Sequence, residues 1–308
     1  MLSSGLSSNI ARRLFLTFTT SQTKPLVKIH RAVDRHWVGD GFPVRTLFAY
    51  NQLGEAISPF LMLDYAEPTT FPPTDRRLGV EVHPHRGFET VTIVYSGEVE
   101  HRDSAGGGGI IGPGDVQWMT AASGLVHSEF HGPRFAKQGG DFEMAQLWVN
   151  LPAQHKLTAP RYQGILSRQI PVVDLAGDRG QVRVIAGEFN AVSGPAMTFS
   201  PVNVWDLRLA GQQHSEWPLP TDHNAILVIL KGAAQVNSIE TLRPAELAVF
   251  DRAGNTIEIT TETDTTALLL TGKPLDEPIV GYGPFVMNSS EEIRQAILDY
   301  QSGKMGQL

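Results

Sequence analysis

The 308-residue chain contains no cysteine. Disulfides, thiol nucleophiles and zinc–thiolate sites are therefore excluded, and redox chemistry must come from a bound metal or from methionine. The lack of disulfides fits a reducing compartment. Charged residues make up 19% of the chain, and acids outnumber bases to a formal net charge of −7. Such a chain lacks the clustered basic face of a nucleic-acid binder. No apolar run approaches the roughly 20 residues of a membrane-spanning helix. The glycine run 106–109 is not followed by the Lys-Ser/Thr of a phosphate-binding loop, so it reads as a flexible hairpin loop.

Acids are also missing from the start of the chain, where the first is Asp34. Arg12, Arg13 and Lys24 sit there among Ser and Thr. Basic, Ser-rich and acid-poor composition is that of an organelle transit peptide. The competing reading is a disordered extension. Residues 1–25 are therefore expected to be a leader outside the fold. A cytoplasmic location is the default, and organelle targeting through this leader is the alternative.

What the chain has in quantity is strand patterning cut by turns. Val44–Tyr50, Ser58–Tyr65, Glu89–Tyr95, Val116–Thr120 and Ala145–Leu151 are β-branched or apolar runs of strand length, bounded by Gly, Pro and Asp. A degraded copy follows. Ala225–Gly232 parallels the strand that ends at Gly97, and Leu242–Phe250 parallels Gly112–Met119. The repeat predicts two similar β-barrels. Lys156–Ser167 reads as the crossover between them. Near the end, Asn288 or Ser289 caps a helix, with Glu291 or Glu292 in capping-box position and Ile293, Ala296, Ile297 and Tyr300 on one face. That helix is expected to pack on a barrel.

The chemistry concentrates between His83 and Glu129. His83 and His85 are spaced i, i+2, as are His127 and Glu129. On a strand that spacing puts both side chains on one face, so two facing strands can aim four ligands at one point. Three imidazoles and a carboxylate suit a first-row transition metal: iron, and equally zinc, copper, nickel or manganese. His101 and Asp103 form a further i, i+2 pair, set aside as ligands because they lie beside a turn. His30 and His36 have no spaced partner and read as structural or surface residues. The second copy lacks the set. The same count from Pro244 as from Pro113 to His127 lands on Glu258, with Thr260 two further on, so the second barrel is expected to hold no metal.

HPHRGFET (83–90), PGDVQWMTA (113–121), GLVHSE (124–129), QLWVNL (146–151) and GPFVMNSSEEIRQAILDY (283–300) resemble the pirin family of the cupin superfamily, from about residue 26 to the C-terminus. The resemblance implies an all-β bicupin: two antiparallel, jelly-roll-like barrels with a short C-terminal helix. Residues 26–160 would form the metal-binding cupin and 161–308 a cupin without a metal site. It implies Fe2+, with another divalent transition metal as the alternative, held by His83, His85, His127 and Glu129. The general cupin pattern would use Glu89 instead; the pirin resemblance favours Glu129, leaving Glu89 structural or near the ligands.

The implied activity is that of quercetin 2,3-dioxygenase, opening a flavonol ring with O2 and releasing carbon monoxide. Glu129 would accept the proton of the flavonol hydroxyl. Phe88 and Trp118 could line an aromatic pocket, although core packing is the expected use of both. The family also includes redox-sensing regulators that act through a protein partner such as a transcription factor, and this is the alternative function. A different enolic or aromatic substrate would use the same ligands. Since a bicupin pairs its barrels internally, a monomer is expected.

Overall fold

Runs of alternating apolar residues, interrupted at Gly and Pro, build two antiparallel β-barrels in the computed structural model, which describes residues 21–31 and 34–308. In the first barrel a seven-stranded sheet runs in the order Arg161–Ile165, Val116–Thr120, Phe88–Ser96, Gly140–Asn150, Phe60–Phe71, Phe42–Ala49, His36–Val38. Facing it is a four-stranded sheet ordered Gly79–His85, Leu125–His131, Val99–Asp103, Gly108–Ile111. Phe42, Val44, Val94, Phe142 and Met144 from the first sheet meet Val99 and Ile111 from the second in a buried apolar layer. The second barrel repeats the plan, with a seven-stranded sheet from Leu26–Arg31 to Val172–Leu175 and a four-stranded sheet that includes His214–Pro218 and Thr256–Thr261.

The two seven-stranded sheets pack against each other. Val91, Ile93, Trp118 and Leu147 of one share a continuous buried cluster with Ile226, Val228, Leu247 and Leu268 of the other. Strand parity decides the division of labour. In Phe88–Ser96, Val91 and Ile93 face the second barrel, while Thr92 and Val94 point into their own barrel. Trp118 is thus an interdomain core residue, not part of a pocket.

Sheet membership does not follow the numbering expected for the domains. Leu26–Arg31, placed with the first barrel, pairs with Glu246–Phe250 of the second. Arg161–Ile165, read as crossover and placed in the second, pairs with Val116–Thr120 of the first. Each numbering range therefore lends an edge strand to the other barrel. The leader expected over 1–25 lies outside the described residues for its first 20 positions. Its last residues belong to the fold: Thr23 bridges to Thr256, and the buried Lys24 ammonium donates to the carbonyls of His223 (3.0 Å) and Arg252 (2.9 Å).

The second barrel's interior is filled by Trp205, Trp217, Ile257 and Ile259. Glu258 and Thr260 alternate with these isoleucines and face outward, where Thr260 Oγ1 lies 3.0 Å from His214 Nδ1. The two counted positions therefore lie on the outer face of their strand, not among the side chains that fill the barrel. No helix among the described residues is long and apolar enough to cross a membrane.

Candidate metal centre

The ligand pairs come from neighbouring strands of the first barrel's four-stranded sheet. Gly79–His85 pairs with Leu125–His131, and His83 lies directly opposite His127. The register shifts between this pair and Val80–Glu129, which accommodates Glu81 and Val82 as a bulge. Val80 and His83 are three apart and would face opposite ways on a regular strand. The bulge lets Val80 pack on the apolar layer while His83 faces the other histidines.

The rings of His83, His85 and His127 converge, with centroids 4.2 Å (His83–His127), 4.8 Å (His85–His127) and 5.0 Å (His83–His85) apart. One nitrogen from each lies within 4.8 Å of the others. Their tautomers follow from their neighbours. Nδ1 of His83 lies 2.8 Å from Glu81 O, and Nδ1 of His85 lies 3.3 Å from Pro284 O. A carbonyl can only accept, so each Nδ1 carries the proton and each Nε2 keeps its lone pair. Among the described residues, the buried His127 Nε2 has no hydrogen-bond partner. An orphaned imidazole nitrogen facing two more imidazoles fits a metal ligand, because a buried polar atom otherwise loses about 1–3 kcal/mol. Burial, helped by the neighbouring His83, pulls His85 down to about 3, and burial holds His127 well below the ordinary histidine value. Both stay neutral, as metal ligation requires.

Glu129 stands one step further along the strand. Its donor atom groups with those of His127 and His101, not with His83 and His85. With His101 added, the four expected residues fall into two overlapping triads, His83–His85–His127 and His101–His127–Glu129, that share His127. Glu129 accepts from Gln117 Nε2 (3.1 Å) at one oxygen and from Gln146 Nε2 (3.2 Å) at the other. These amides fix its orientation. Thr90 and Thr92, also buried, leave their hydroxyls without a partner among the described residues.

His101 is central here, although its spacing beside a turn had argued against it. It sits opposite Glu129 in the strand register, and Asp103 sits opposite His127. Tyr162, from the lent strand Arg161–Ile165, stacks on His101 (centroids 5.1 Å, 16° between planes). Burial, together with Asp103 and Glu129, pushes the Tyr162 phenol up to about 12. Trp148 was also missed. It lies 5.3 Å from His85 and 4.2 Å from Phe88, ring to ring. Phe88 thus does join an aromatic wall beside His85. The signal for Trp148 was its parity with Gln146 on one strand.

Glu89 takes no part in this cluster. It pairs across with Thr120, whose hydroxyl donates to it at 2.6 Å, and it lies on the face of Val91 and Trp118 toward the second barrel.

Comparison with known proteins agrees with this architecture. The family model described as Pirin matches residues 41–149, and the one described as Pirin C-terminal cupin domain matches residues 204–306. A pirin-like protein of Solanum lycopersicum is 38% identical over 275 residues, covering 87% of this chain and 88% of its own. The chain belongs to the pirin family. A relative from Pseudomonas aeruginosa, provisionally named as a quercetin 2,3-dioxygenase, is 55% identical over 281 residues, covering 91% of this pirin and 98% of its own length. The crystal structure of a quercetin 2,3-dioxygenase from Acinetobacter baumannii superposes with a TM-score of 0.91 at 51% identity, covering 92% of this chain and 99% of that one. The expected bicupin fold, with its C-terminal helix, is the fold observed.

Proposed function

We propose that this pirin is a metal-dependent oxygenase that opens flavonol-type rings with O2. The observation that carries the reading is the convergence of three imidazoles, one with a buried nitrogen unpartnered among the described residues, in a chain so similar to proteins named as quercetin 2,3-dioxygenases. His83, His85 and His127 would hold the ion, and Glu129 would be the fourth ligand or the base beside it. Nitrogen and oxygen donors without thiolate suit a divalent first-row ion, and we take Fe2+ as the ion. When bound, such an ion supplies Lewis acidity toward the substrate's oxygens and an electron path to O2.

The protein's own groups do the rest. Glu129, gripped at both oxygens by Gln117 and Gln146, keeps lone pairs free to take the flavonol hydroxyl proton. Trp148 and Phe88 offer a flat apolar wall beside His85 for the rings of the substrate. His83 is the most open of the three histidines, and we take the approach to lie on its side of the cluster. With the seven-stranded faces packed on each other within one chain, the same reading takes the protein as a monomer working in the cytoplasm.

The test pairs metal content with turnover. Purified protein reloaded with Fe2+ without air should hold about one ion per chain and consume quercetin and O2 together. His83→Ala should lose both. Glu129→Gln should keep its fold and most of its metal, yet lose at least tenfold in turnover. Metal-free wild-type protein after reloading would remove the ligand assignment. Bound metal without turnover would move the assignment to a redox-sensing regulator with a protein partner.

A further inference from the structure

We propose that Asp103 and His101 form a relay that sets the tautomer of His127, making its Nε2 the atom that faces the metal. This rests on the ligand reading above and adds two positioning residues to it. His101 Nε2 lies 3.1 Å from Asp103 Oδ2, and His101 Nδ1 lies 3.3 Å from His127 Nδ1. The His101 and Asp103 side chains are almost wholly buried, so water does not compete for these groups.

The proton positions follow one from another. A carboxylate can only accept, so His101 donates from Nε2, and the donor amide of Gln117, 3.2 Å from Nδ1, calls for a lone pair there. That lone pair meets Nδ1 of His127, which must then carry hydrogen. Nε2 of His127 is left unprotonated, and it is the buried nitrogen without a partner. Gln117 supports the same assignment: its Nε2, a donor, lies 3.2 Å from His101 Nδ1 and 3.1 Å from Glu129 Oε1. The stacked Tyr162 ring holds the His101 plane. A ligand histidine usually gives its second N–H to a carboxylate or carbonyl, which orients the ring and raises its basicity. His83 and His85 use the carbonyls of Glu81 and Pro284 for this. His127 has an imidazole in that place, backed by a carboxylate.

The two oxygens of Asp103 have separate duties, which makes the idea testable. Oδ1 accepts from the backbone of Ala105 (2.9 Å) and Gly107 (2.8 Å) and shapes the turn, while Oδ2 serves His101. Asp103→Asn keeps an oxygen for the turn and puts an amide donor against His101. His101 must then protonate at Nδ1, and His127 must shift its proton to Nε2.

The first readout is long-range 1H–15N NMR of histidine-labelled, metal-free protein. The second is Co2+ affinity by competition with a chromophoric chelator. Wild type should show His101 protonated at Nε2 and His127 at Nδ1. Asp103→Asn should move the His127 proton to Nε2 and weaken Co2+ binding about 10–100-fold. His101→Phe, which keeps a ring against Tyr162, should remove the fixed His127 tautomer and weaken Co2+ similarly. Unchanged His127 protonation and unchanged Co2+ affinity in these variants would overturn the relay, even if their melting temperatures fell. Because the tautomers are read without metal, failure of wild type to bind Co2+ would strike the ligand reading and leave the relay to be judged on its NMR signals.

Discussion

Glu89 and Glu129 are both buried, and both are plausible metal ligands by type, but they face opposite sides of the first barrel's wall. Glu129 looks inward to His127, and Glu89 looks toward the second barrel, with Thr120 as its partner and Arg161 3.9 Å away. Burial raises the Glu89 carboxyl from 4.5 to about 7, against the opposing pull of Thr120 and Arg161. An acid with a raised folded-state pKa stabilises the fold fully below its unfolded pKa and loses that contribution as pH rises through the folded value. Stability should therefore fall between pH 4.5 and 7 and level off above. Glu89→Gln, which keeps an acceptor for Thr120, should remove this slope. The variant should exceed wild type by up to about 3 kcal/mol above pH 7, with the gap closing toward pH 4.5. Denaturant unfolding across this range checks it, and identical pH profiles would show that Glu89 stays ionised in the fold.

At the scale of elements, the segment 83–87 is held by the far end of the chain. The hairpin Val280–Tyr282 and Phe285–Met287 precedes the helix Ser290–Gln301. Val286 N donates to Arg86 O at 3.0 Å, and Pro284 O receives His85 Nδ1. Gly87 has φ +91°, and a Cβ there would lie 2.0 Å from Val286 O, so glycine alone allows this approach. Lys156 ties both sides, donating to Gly87 O (2.7 Å), Val286 O (2.9 Å) and Asn150 Oδ1 (2.6 Å). Arg86 reaches Ser123 O at 2.7 Å and Asp299 Oδ2, on the helix, at 2.9 Å. Asp299 keeps Lys304 Nζ at 2.9 Å on its other oxygen, so losing Arg86 frees Asp299 Oδ2 and the Ser123 carbonyl without stranding a lone charge. Arg86→Met should cost about 1–2 kcal/mol in metal-free protein and speed metal loss to a chelator, through slackening at His85. Unfolding and Co2+ release measured side by side decide this; wild-type values for both would show that the clamp is idle.

The same elements show what the sequence could and could not disclose. The helix start was legible, since Ser289 accepts from Glu292 N and Glu292 accepts from Asn288 N. Ile293 and Ala296 are buried as their spacing required, whereas Tyr300 is 41% exposed, at the edge of the covered face. That His83 and His85 share one face, as do His127 and Glu129, was legible because strand parity is local. Docking of the helix on Arg86 was not, because residues 213 apart share no period. His101 was missed for the same reason: its contact with His127 depends on the register between two strands.

For the whole molecule, exchange of edge strands and a shared core predict a single folding unit. Cutting at 160/161 would strip Arg161–Ile165 from the first barrel and leave Leu26–Arg31 without Glu246–Phe250. It would also expose the interdomain cluster, in which each fully buried aliphatic or aromatic side chain is worth about 1.5–3 kcal/mol. Polar bonds cross the same face. Asp206 is buried between Arg183 (2.8 Å) and Arg208 (2.6 Å); Arg183 also bonds Gly114 O of the first barrel, and Tyr65 of that barrel bonds Leu230 O at 3.3 Å. Separating the barrels would leave these groups unpaired or bring water to them, so neither barrel has a stable state of its own in which to wait. Calorimetry of the metal-free protein should give one transition, with equal calorimetric and van't Hoff enthalpies. A fragment of residues 26–160 should fail to give a cooperative transition. Two resolved transitions, or a fragment that melts cooperatively, would mean that the metal barrel is autonomous and that the second barrel's contribution to the site ends at its surface.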